Sequence, residues 1–236
     1  MGRGEGRNRG HQPATLGVPG PGAPGRAPGA GTPVRDAVLA GHRGDAEGAD
    51  RLAGHDDPAV RAAALAALAR AGALEADRLV AALSDPAPLV RRRACALAGR
   101  AVRDAPDAAV VEALGRALAT DPDASVVESA AWALGEAGAA CGDSQVEGLC
   151  AVAAGHGDAL CREAAVAALG AIGDPAALDT VLGATGDVAA VRRRATIALA
   201  AFEGPRVDEA LRAGLTDRDW QVRQAAEDLL GRQGGA

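Results

Sequence analysis

The apolar positions of the chain recur at helical spacing in six Ala-rich segments. Each segment has a small apolar residue, usually an Arg directly after it, and an Ala three residues after the Arg position; five of the six copies add a Leu four residues further on. In the first copy these residues are Val60, Arg61, Ala64 and Leu68. Counted from the Arg, the apolar positions are −1, +3 and +7, which share one face of an α-helix. Each segment is therefore predicted to be a helix that buries this face.

A second apolar stretch precedes each of these segments and completes a helix pair. The six stretches are residues 46–53, 74–83, 109–119, 146–154, 176–182 and 207–215. The pairs recur at steps of 28 to 37 residues, and the sequence has no alternating strand pattern. We predict an all-α fold, a right-handed α-solenoid of six helix pairs over residues 34–236, in which a first helix over 34–41 covers the N-terminal end.

The first 33 residues differ from the rest in composition. Nearly half of them are Gly or Pro, and four Arg with one Glu give +3, which leaves −9 for the remainder of a chain whose net charge is −6. We expect residues 1–33 to be disordered. The segment is interpreted as a flexible extension or as the product of a misassigned start codon. Contact with RNA is the less favoured reading because no aromatic residues are interleaved with its arginines.

Composition and charge exclude several classes of protein. Two Trp, one Phe and no Tyr are too few for a core built around aromatic rings, so Ala-faced helices must pack in a shallow core. The acidic balance makes nucleic acid binding through phosphates an unfavoured function. No apolar run approaches the ~20 residues of a membrane helix. Without a signal-peptide pattern we expect a cytoplasmic protein whose four Cys are reduced thiols.

The repeated motif resembles a known family. Residues 57–72, which begin Asp-Pro-Ala-Val-Arg, and residues 126–138 match the pattern D-P-x-V-R-x-x-A-x-x-A-L-x-x-x-G of the HEAT repeat. The resemblance is to its short bacterial form, named after phycobilisome lyases, and covers about residues 34–232. It implies a stacking ladder in which each motif Arg bonds to an Asp of its own or the next repeat. The ladder residues are Arg61, Arg91, Arg162, Arg192 and Arg223 with Asp57, Asp85, Asp121, Asp158, Asp187 and Asp217.

Two further expectations concern these ladder positions. The third repeat has Val127 where the others have Arg, so we expect a weaker connection there. An Asp ahead of a helix also suits an N-cap, because its carboxylate accepts hydrogen bonds from the first free N–H groups. The six aspartates are therefore predicted to cap the second helices as well.

Positions +1 and +5 of the second helices are predicted to form an exposed inner ridge, because they lie roughly 160° from the core direction. The ridge runs from Ala62 at one end to Gln224 at the other. Trp132 has two interpretations: a partner contact, or packing onto the neighbouring repeat's helix. Trp220 is expected to cover the end of the array. The candidate partner-binding residues are Arg92, Arg93, Glu128, Trp132, Glu163, Arg193 and Arg194.

The family resemblance also implies possible enzymes, since the family includes bilin lyases and a di-iron hydroxylase. The iron ligands of the latter are repeated His-Glu pairs, and this sequence has none; its nearest match is Cys161-Arg162-Glu163. Cys150, His156 and Cys161 fall in one repeat, but without a C-x-x-C pair, and Cys161 stands for a core Val. We predict no catalytic residue, metal, cofactor or small-molecule substrate.

The predicted function is a non-catalytic interaction scaffold or assembly factor that holds a protein or peptide along the inner ridge, where mixed charges favour a partner of complementary pattern. The alternative is a bilin or tetrapyrrole lyase. A deoxyhypusine-hydroxylase-like oxidoreductase is disfavoured by the missing His-Glu pairs.

Overall fold

The structure is a computed structural model that describes Met1 and residues 32–233, the last two by their backbone alone. Residues 2–31, which hold most of the segment expected to be disordered, lie outside the described residues. The first helix begins at Pro33, the last residue of that segment.

Within the described residues the chain folds into α-helices joined by short turns, and three of these turns are single 3₁₀ turns. The helices are α1 (Pro33–Arg43), α2 (Ala46–Leu52), α3 (Pro58–Arg70), α4 (Ala76–Ala82), α5 (Pro88–Asp104), α6 (Ala108–Thr120), α7 (Ala124–Ala137), α8 (Asp143–Gly155), α9 (Ala159–Ile172), α10 (Leu178–Ala184), α11 (Ala189–Ala198), α12 (Pro205–Gly214) and α13 (Trp220–Gln233). The all-α prediction and the six helix pairs are confirmed.

The helix pairs stack into two layers. Odd-numbered helices, the second members of the pairs, contact one another in order from α1 to α13. The first members pack on the other side, where α4, α6, α8 and α10 contact one another in order. Among the described residues no helix precedes α1, and α1 lies against α3 as one further second helix. The fold is an α-solenoid whose second helices form one continuous layer.

The core contains almost only small aliphatic side chains. Val60, Ala64 and Leu68 of α3 are at most 2% exposed, as expected for the −1, +3 and +7 positions. One continuous apolar cluster then extends from α3 through α12, and Phe202 is its only aromatic member. Because each second helix is buried between two others, Ala suits positions where a larger side chain would keep the helices apart.

Glycines mark the closest contacts between second helices. A Cβ atom added to Gly170 of α9 would lie 2.6 Å from the Cβ and 2.8 Å from the Cα of Ala198 in α11. The same positions of the preceding repeats bring Gly135 close to Ala168 and Gly99 close to Ala133. Because these glycines have no side chain, adjacent second helices can approach closely. This sets the distance between the helices and therefore the distance between residues on their exposed face.

The candidate groove and the arginine ladder beside it

A ladder of arginines joins consecutive turns of the solenoid. Arg61 donates from Nη1 to the carbonyl oxygens of His55 and Asp56 in its own turn, both at 2.9 Å. Its Nε and Nη2 donate to the two carboxylate oxygens of Asp85 in the next turn, at 2.9 and 2.7 Å. We call each such Arg–Asp pair a rung. The same bidentate geometry joins Arg91 to Asp121, Arg162 to Asp187 and Arg192 to Asp217.

The rungs are charged and largely shielded from water. Burial is the largest influence on the pKa of Asp85 and raises it. Hydrogen bonds from Arg61 and from the backbone N–H of Ala87 oppose this, and the pKa of Asp85 lies below its usual value. In Asp187 and Asp217 the hydrogen bond from the arginine is the largest cause of a lowered pKa. These carboxylates stay ionised, as bidentate pairing with a guanidinium requires.

Not all the predicted ladder residues form rungs. Asp57 and Asp158 cap α3 and α9, accepting from the N–H groups of Ala59 and Leu160 at 2.8 and 2.9 Å, and neither accepts from an Arg side chain among the described residues. Arg223, in the last repeat, donates to the carbonyl oxygen of Asp217 in its own turn.

The prediction that all six aspartates cap second helices is wrong for the rung-forming ones. Asp85, Asp121, Asp187 and Asp217 lie one or two residues ahead of the capping position. Asp121, for example, accepts from the N–H of Asp123, and it is Asp123 that caps α7. Distance from the Arg position explains the two roles. Rung aspartates lie five or six residues before this position of their own repeat, which holds Val127 in the third repeat, whereas Asp57 and Asp158 lie four before it.

Histidines occupy the rung position in the two repeats that receive no arginine. His55 and His156 lie six residues before Arg61 and Arg162, and each Nδ1 accepts from the backbone N–H two residues on, at 2.9 and 3.1 Å. The Oδ1 of Asp85 makes the same turn contact with Ala87 at 2.8 Å. Upstream of His156 the arginine position holds Val127, which is 2% exposed. The junction between α7 and α9 therefore has no rung.

A rung can be built at this junction. The single change Val127→Arg is expected to destabilise the protein, because the guanidinium would enter a buried position without a carboxylate. Adding His156→Asp supplies that carboxylate, and we expect a favourable coupling of about 1–3 kcal/mol in a double-mutant cycle measured by urea unfolding. The matched control combines Val127→Arg with His55→Asp. Residue 55 lies about three repeats before residue 156 and cannot contact the new arginine, so the effects of these two changes on the free energy of unfolding must be additive. Additivity in both pairs would contradict the proposed equivalence of His156 and the rung aspartates.

A shallow groove of about 470 Å³ lies between α7 and α9, at the junction without a rung. It is on the exposed face of the second helices, where the inner ridge is predicted. Alanines form most of its floor. Its polar and large apolar lining residues are Glu128, Ser129, Trp132, Glu136, Leu160, Glu163 and Arg194. We call this the central groove. Four of the seven candidate partner-binding residues line it: Glu128, Trp132, Glu163 and Arg194.

The groove continues toward the C-terminal end of the solenoid. A strip of small side chains around Gly170 and Ala171 joins it to a second depression between α11 and α13, the C-terminal groove. Ile197, Trp220 and Leu229 are the large apolar residues of the C-terminal groove, and Arg193 lines it as well. Ile197 is 44% and Trp220 64% exposed, so this end also presents apolar surface to solvent.

Trp132 packs onto the neighbouring repeat, as one of its two interpretations predicts, and part of its ring stays exposed. Its side chain is 42% exposed in the central groove. The ring also lies over Gly99 of α5, so closely that a Cβ added to that glycine would stand 2.5 Å from the ring atom Cζ3. The neighbouring repeat thus fixes the ring at its edge while much of the indole faces solvent.

The carboxylates of the central groove differ in their partners. Two arginines form long ion pairs with Glu163: its Oε1 lies 3.3 Å from Arg194 Nη2 and 3.7 Å from Arg193 Nη2. Glu136 pairs with Arg103 at 3.0 Å. Among the residues the structure describes, no basic nitrogen lies within 4.0 Å of the Glu128 carboxylate. Within the described residues, Glu128 is therefore the groove carboxylate that has no ion pair.

The remaining ridge residues lie elsewhere. Ala62 is 5% exposed and belongs to the core, so the predicted ridge does not begin there. Arg93 lines a separate depression between α3 and α5, and Arg92 is exposed but lines neither groove. Sequence reasoning missed Leu160, whose side chain is 56% exposed in the central groove. An apolar residue directly before the core position, in the first turn of a helix, was the available signal.

The cysteines and histidines that the structure describes do not gather into a ligand set. Burial raises the pKa of the Cys95 thiol to about 12 and that of Cys141 to about 11, which keeps both protonated at neutral pH. Cys161 is buried, with Sγ 3.2 Å from the carbonyl oxygen of Ala124, and the Nδ1 of His156 is occupied by its turn contact. Across residues 32–231, no three His, Cys, Asp or Glu side chains are placed to hold a metal ion.

Stacked helix pairs joined by such a ladder define a helical-repeat scaffold. The family model for HEAT repeats matches residues 76–146 and 146–231, and the chain belongs to this family. No curated protein matches the sequence significantly. In the part of the chain that the structure covers, no helix has the length and apolar character needed to cross a membrane.

Three solved structures illustrate the shared fold. An engineered protein is 23% identical, covering 81% of this chain and 97% of its own, with a TM-score of 0.62. The complex of CpcE and CpcF of phycocyanin lyase from Nostoc sp. PCC7120 is 24% identical, covering 89% and 79%, with a TM-score of 0.56. A designed armadillo repeat protein in complex with the peptide (KR)4 is 17% identical, covering 79% and 98%, with a TM-score of 0.55. At these identities the likeness establishes the fold alone.

Proposed function

We propose that the protein is a non-catalytic interaction scaffold that binds a protein or peptide along its second-helix face. The observation that carries this proposal is the continuous surface formed by the central and C-terminal grooves, on which Trp132, Leu160, Ile197 and Trp220 are all more than 40% exposed. Exposed apolar and aromatic side chains that line a groove are typical of interaction sites.

Two further points support a scaffold. The grooves are shallow and lined by alanines, which suits a chain laid across several helices better than a small molecule enclosed in a pocket. Structures of the same fold include a peptide complex and a complex of two repeat proteins. Arg193 and Arg194 are assigned to this surface with Glu128, Trp132 and Glu163, whereas Arg92 and Arg93 would belong only to a partner that extends beyond it.

The change Trp132→Ala tests the proposal. We expect it to abolish retention of the partner in affinity capture from the native host, quantified by mass spectrometry, because it removes the largest apolar contact of the central groove. The melting temperature should fall by only a few degrees, since the ring is held at its edge alone. Leu215→Ala is the matched control: it also truncates an exposed apolar residue, but one outside both grooves.

Capture that is equal for Trp132→Ala and the control would overturn the proposal. The lyase and oxidoreductase alternatives make a different prediction, which is a bound chromophore or metal. The visible spectrum and metal content of protein purified from the native host distinguish them, and stoichiometric bilin or iron would overturn a purely non-catalytic role.

A further inference from the structure

Among the described residues, one glutamate beside the exposed ring of the central groove has no arginine partner. Three glutamates and Arg194 line the groove, and two of these glutamates pair with arginines. Glu128, Trp132 and Glu136 follow one another at intervals of four along α7 and therefore share one face of the helix. The charge around the ring is thus set by a single rigid helix and by Glu163 of the next one.

The available charge lies at one end of the ring. Glu136 is engaged by Arg103, and Glu163 by Arg193 and Arg194. Glu128 has no such partner among the described side chains, and it lies one turn before Trp132. A cation that enters the groove would meet the carboxylate of Glu128 and the exposed part of the indole together, and both interactions favour it.

The groove is suited to the stem of a long basic side chain as well as to its charge. Leu160 and the alanine floor offer apolar contact to methylene groups, while the guanidinium or ammonium group remains at Glu128. The seating of Trp132 on Gly99 places the ring before a partner arrives, so that less conformational entropy is lost on binding.

A second anchor lies at a defined distance. Ile197 of α11 occupies the same +5 position as Trp132 of α7, two helices further along the layer. Adjacent packed helices are about 8–10 Å apart, so the two side chains are separated by roughly 16–20 Å. An extended chain covers this distance in about five or six residues.

We propose that the grooves recognise an extended segment of a partner protein that places an arginine or lysine on Trp132 and Glu128 and a large apolar side chain on Ile197 and Trp220, five or six residues away. This inference rests on the proposed scaffold function and specifies the chemistry of its partner. Acidic segments are disfavoured at this end of the groove because their carboxylates would face Glu128.

The test uses peptides of stated composition and isothermal titration calorimetry with the full chain. The probe is an acetylated ten-residue Gly/Ser peptide with an arginine at its third position and a leucine at its eighth, together with the reversed peptide, because either chain direction fits. A citrulline version keeps the shape of the side chain and removes its charge. We expect one of the two arginine peptides to bind at least tenfold more tightly than its citrulline counterpart, and less tightly as salt is raised.

A double-mutant cycle locates the contact. Glu128→Gln should weaken the arginine peptide about three- to tenfold and leave the citrulline peptide unchanged. Trp132→Ala should weaken both peptides. Glu147→Gln, an exposed glutamate of α8 in the other layer, is the matched control and should change neither.

Equal affinities for arginine and citrulline peptides, no binding of either, or insensitivity to Glu128→Gln would each overturn the inference. If these results came with partner capture that still required Trp132, the scaffold function would stand and only the chemistry of the partner would be wrong. Capture that did not depend on Trp132 would overturn both.

Discussion

Replacing Asp121 with Ala is expected to lower the free energy of unfolding by about 3 kcal/mol, the cost of removing one partner of a buried ion pair. Asp121 is 4% and Arg91 13% exposed in their side chains. The change removes hydrogen bonds from Arg91 Nε and Nη2 at 2.6 and 2.8 Å and one from the N–H of Asp123 at 2.9 Å. It leaves a guanidinium shielded from water without a carboxylate. Urea unfolding followed by circular dichroism measures the loss.

Asp179→Ala is the matched control for this prediction. Asp179 pairs with Arg206 at 2.7 Å, nearly the same separation, but the two side chains are 81% and 62% exposed. We expect this change to cost less than about 1 kcal/mol, because water screens the pair. Similar losses in the two variants would mean that burial adds nothing to a rung.

Gly170→Val is expected to destabilise the protein by about 3 kcal/mol, at the upper end of the range for overpacking. The first added carbon would meet the Cβ and Cα of Ala198 at 2.6 and 2.8 Å, and one of those atoms belongs to the backbone, which cannot rotate away. Helices α9 and α11 must then move apart. We expect this cost to appear as a lower free energy of unfolding in urea. Relative to the unaltered protein, hydrogen exchange should also accelerate more in α9 and α11 than in α3.

The control for overpacking is Gly183→Val in α10. This glycine also lies in a helix, but an added Cβ meets no atom within 4 Å. Since Val and Gly differ little in helix propensity, stability should change by less than about 0.5 kcal/mol. A comparable loss at Gly183 would attribute the effect to valine in a helix rather than to contact between helices.

The helix pairs and their buried faces could be predicted because the pattern is local. Steps of four place Val60, Ala64 and Leu68 on one side of α3 whatever surrounds it. Ala62 shows the limit of this argument. Its position relative to its own helix is exposed, but neighbouring second helices lie on both sides, and a side chain as small as Ala becomes covered. The inner ridge therefore begins further along the chain than the helical angle indicates.

The roles of the aspartates could not be assigned from residue type. A carboxylate at a helix cap and a carboxylate two residues ahead of it both accept hydrogen bonds from backbone N–H groups. Aligning the repeats on Asp therefore treats the capping position and the rung position as one. Distance from the Arg would have separated Asp57 from Asp85, and would have placed His55 and His156 at the rung position. The central groove depends on contacts between repeats: Trp132 lies over Gly99, and the arginines of α11 reach Glu163 of α9. Periodicity within one repeat does not report these contacts.

The missing rung divides the ladder into two closed blocks. One block contains the pairs Arg61–Asp85 and Arg91–Asp121, and the other contains Arg162–Asp187 and Arg192–Asp217. No ladder pair crosses the boundary between α7 and α8. A helix pair without rung residues can therefore be inserted at this boundary without separating an arginine from its aspartate. The same insertion within either block would leave both an arginine and an aspartate unmatched.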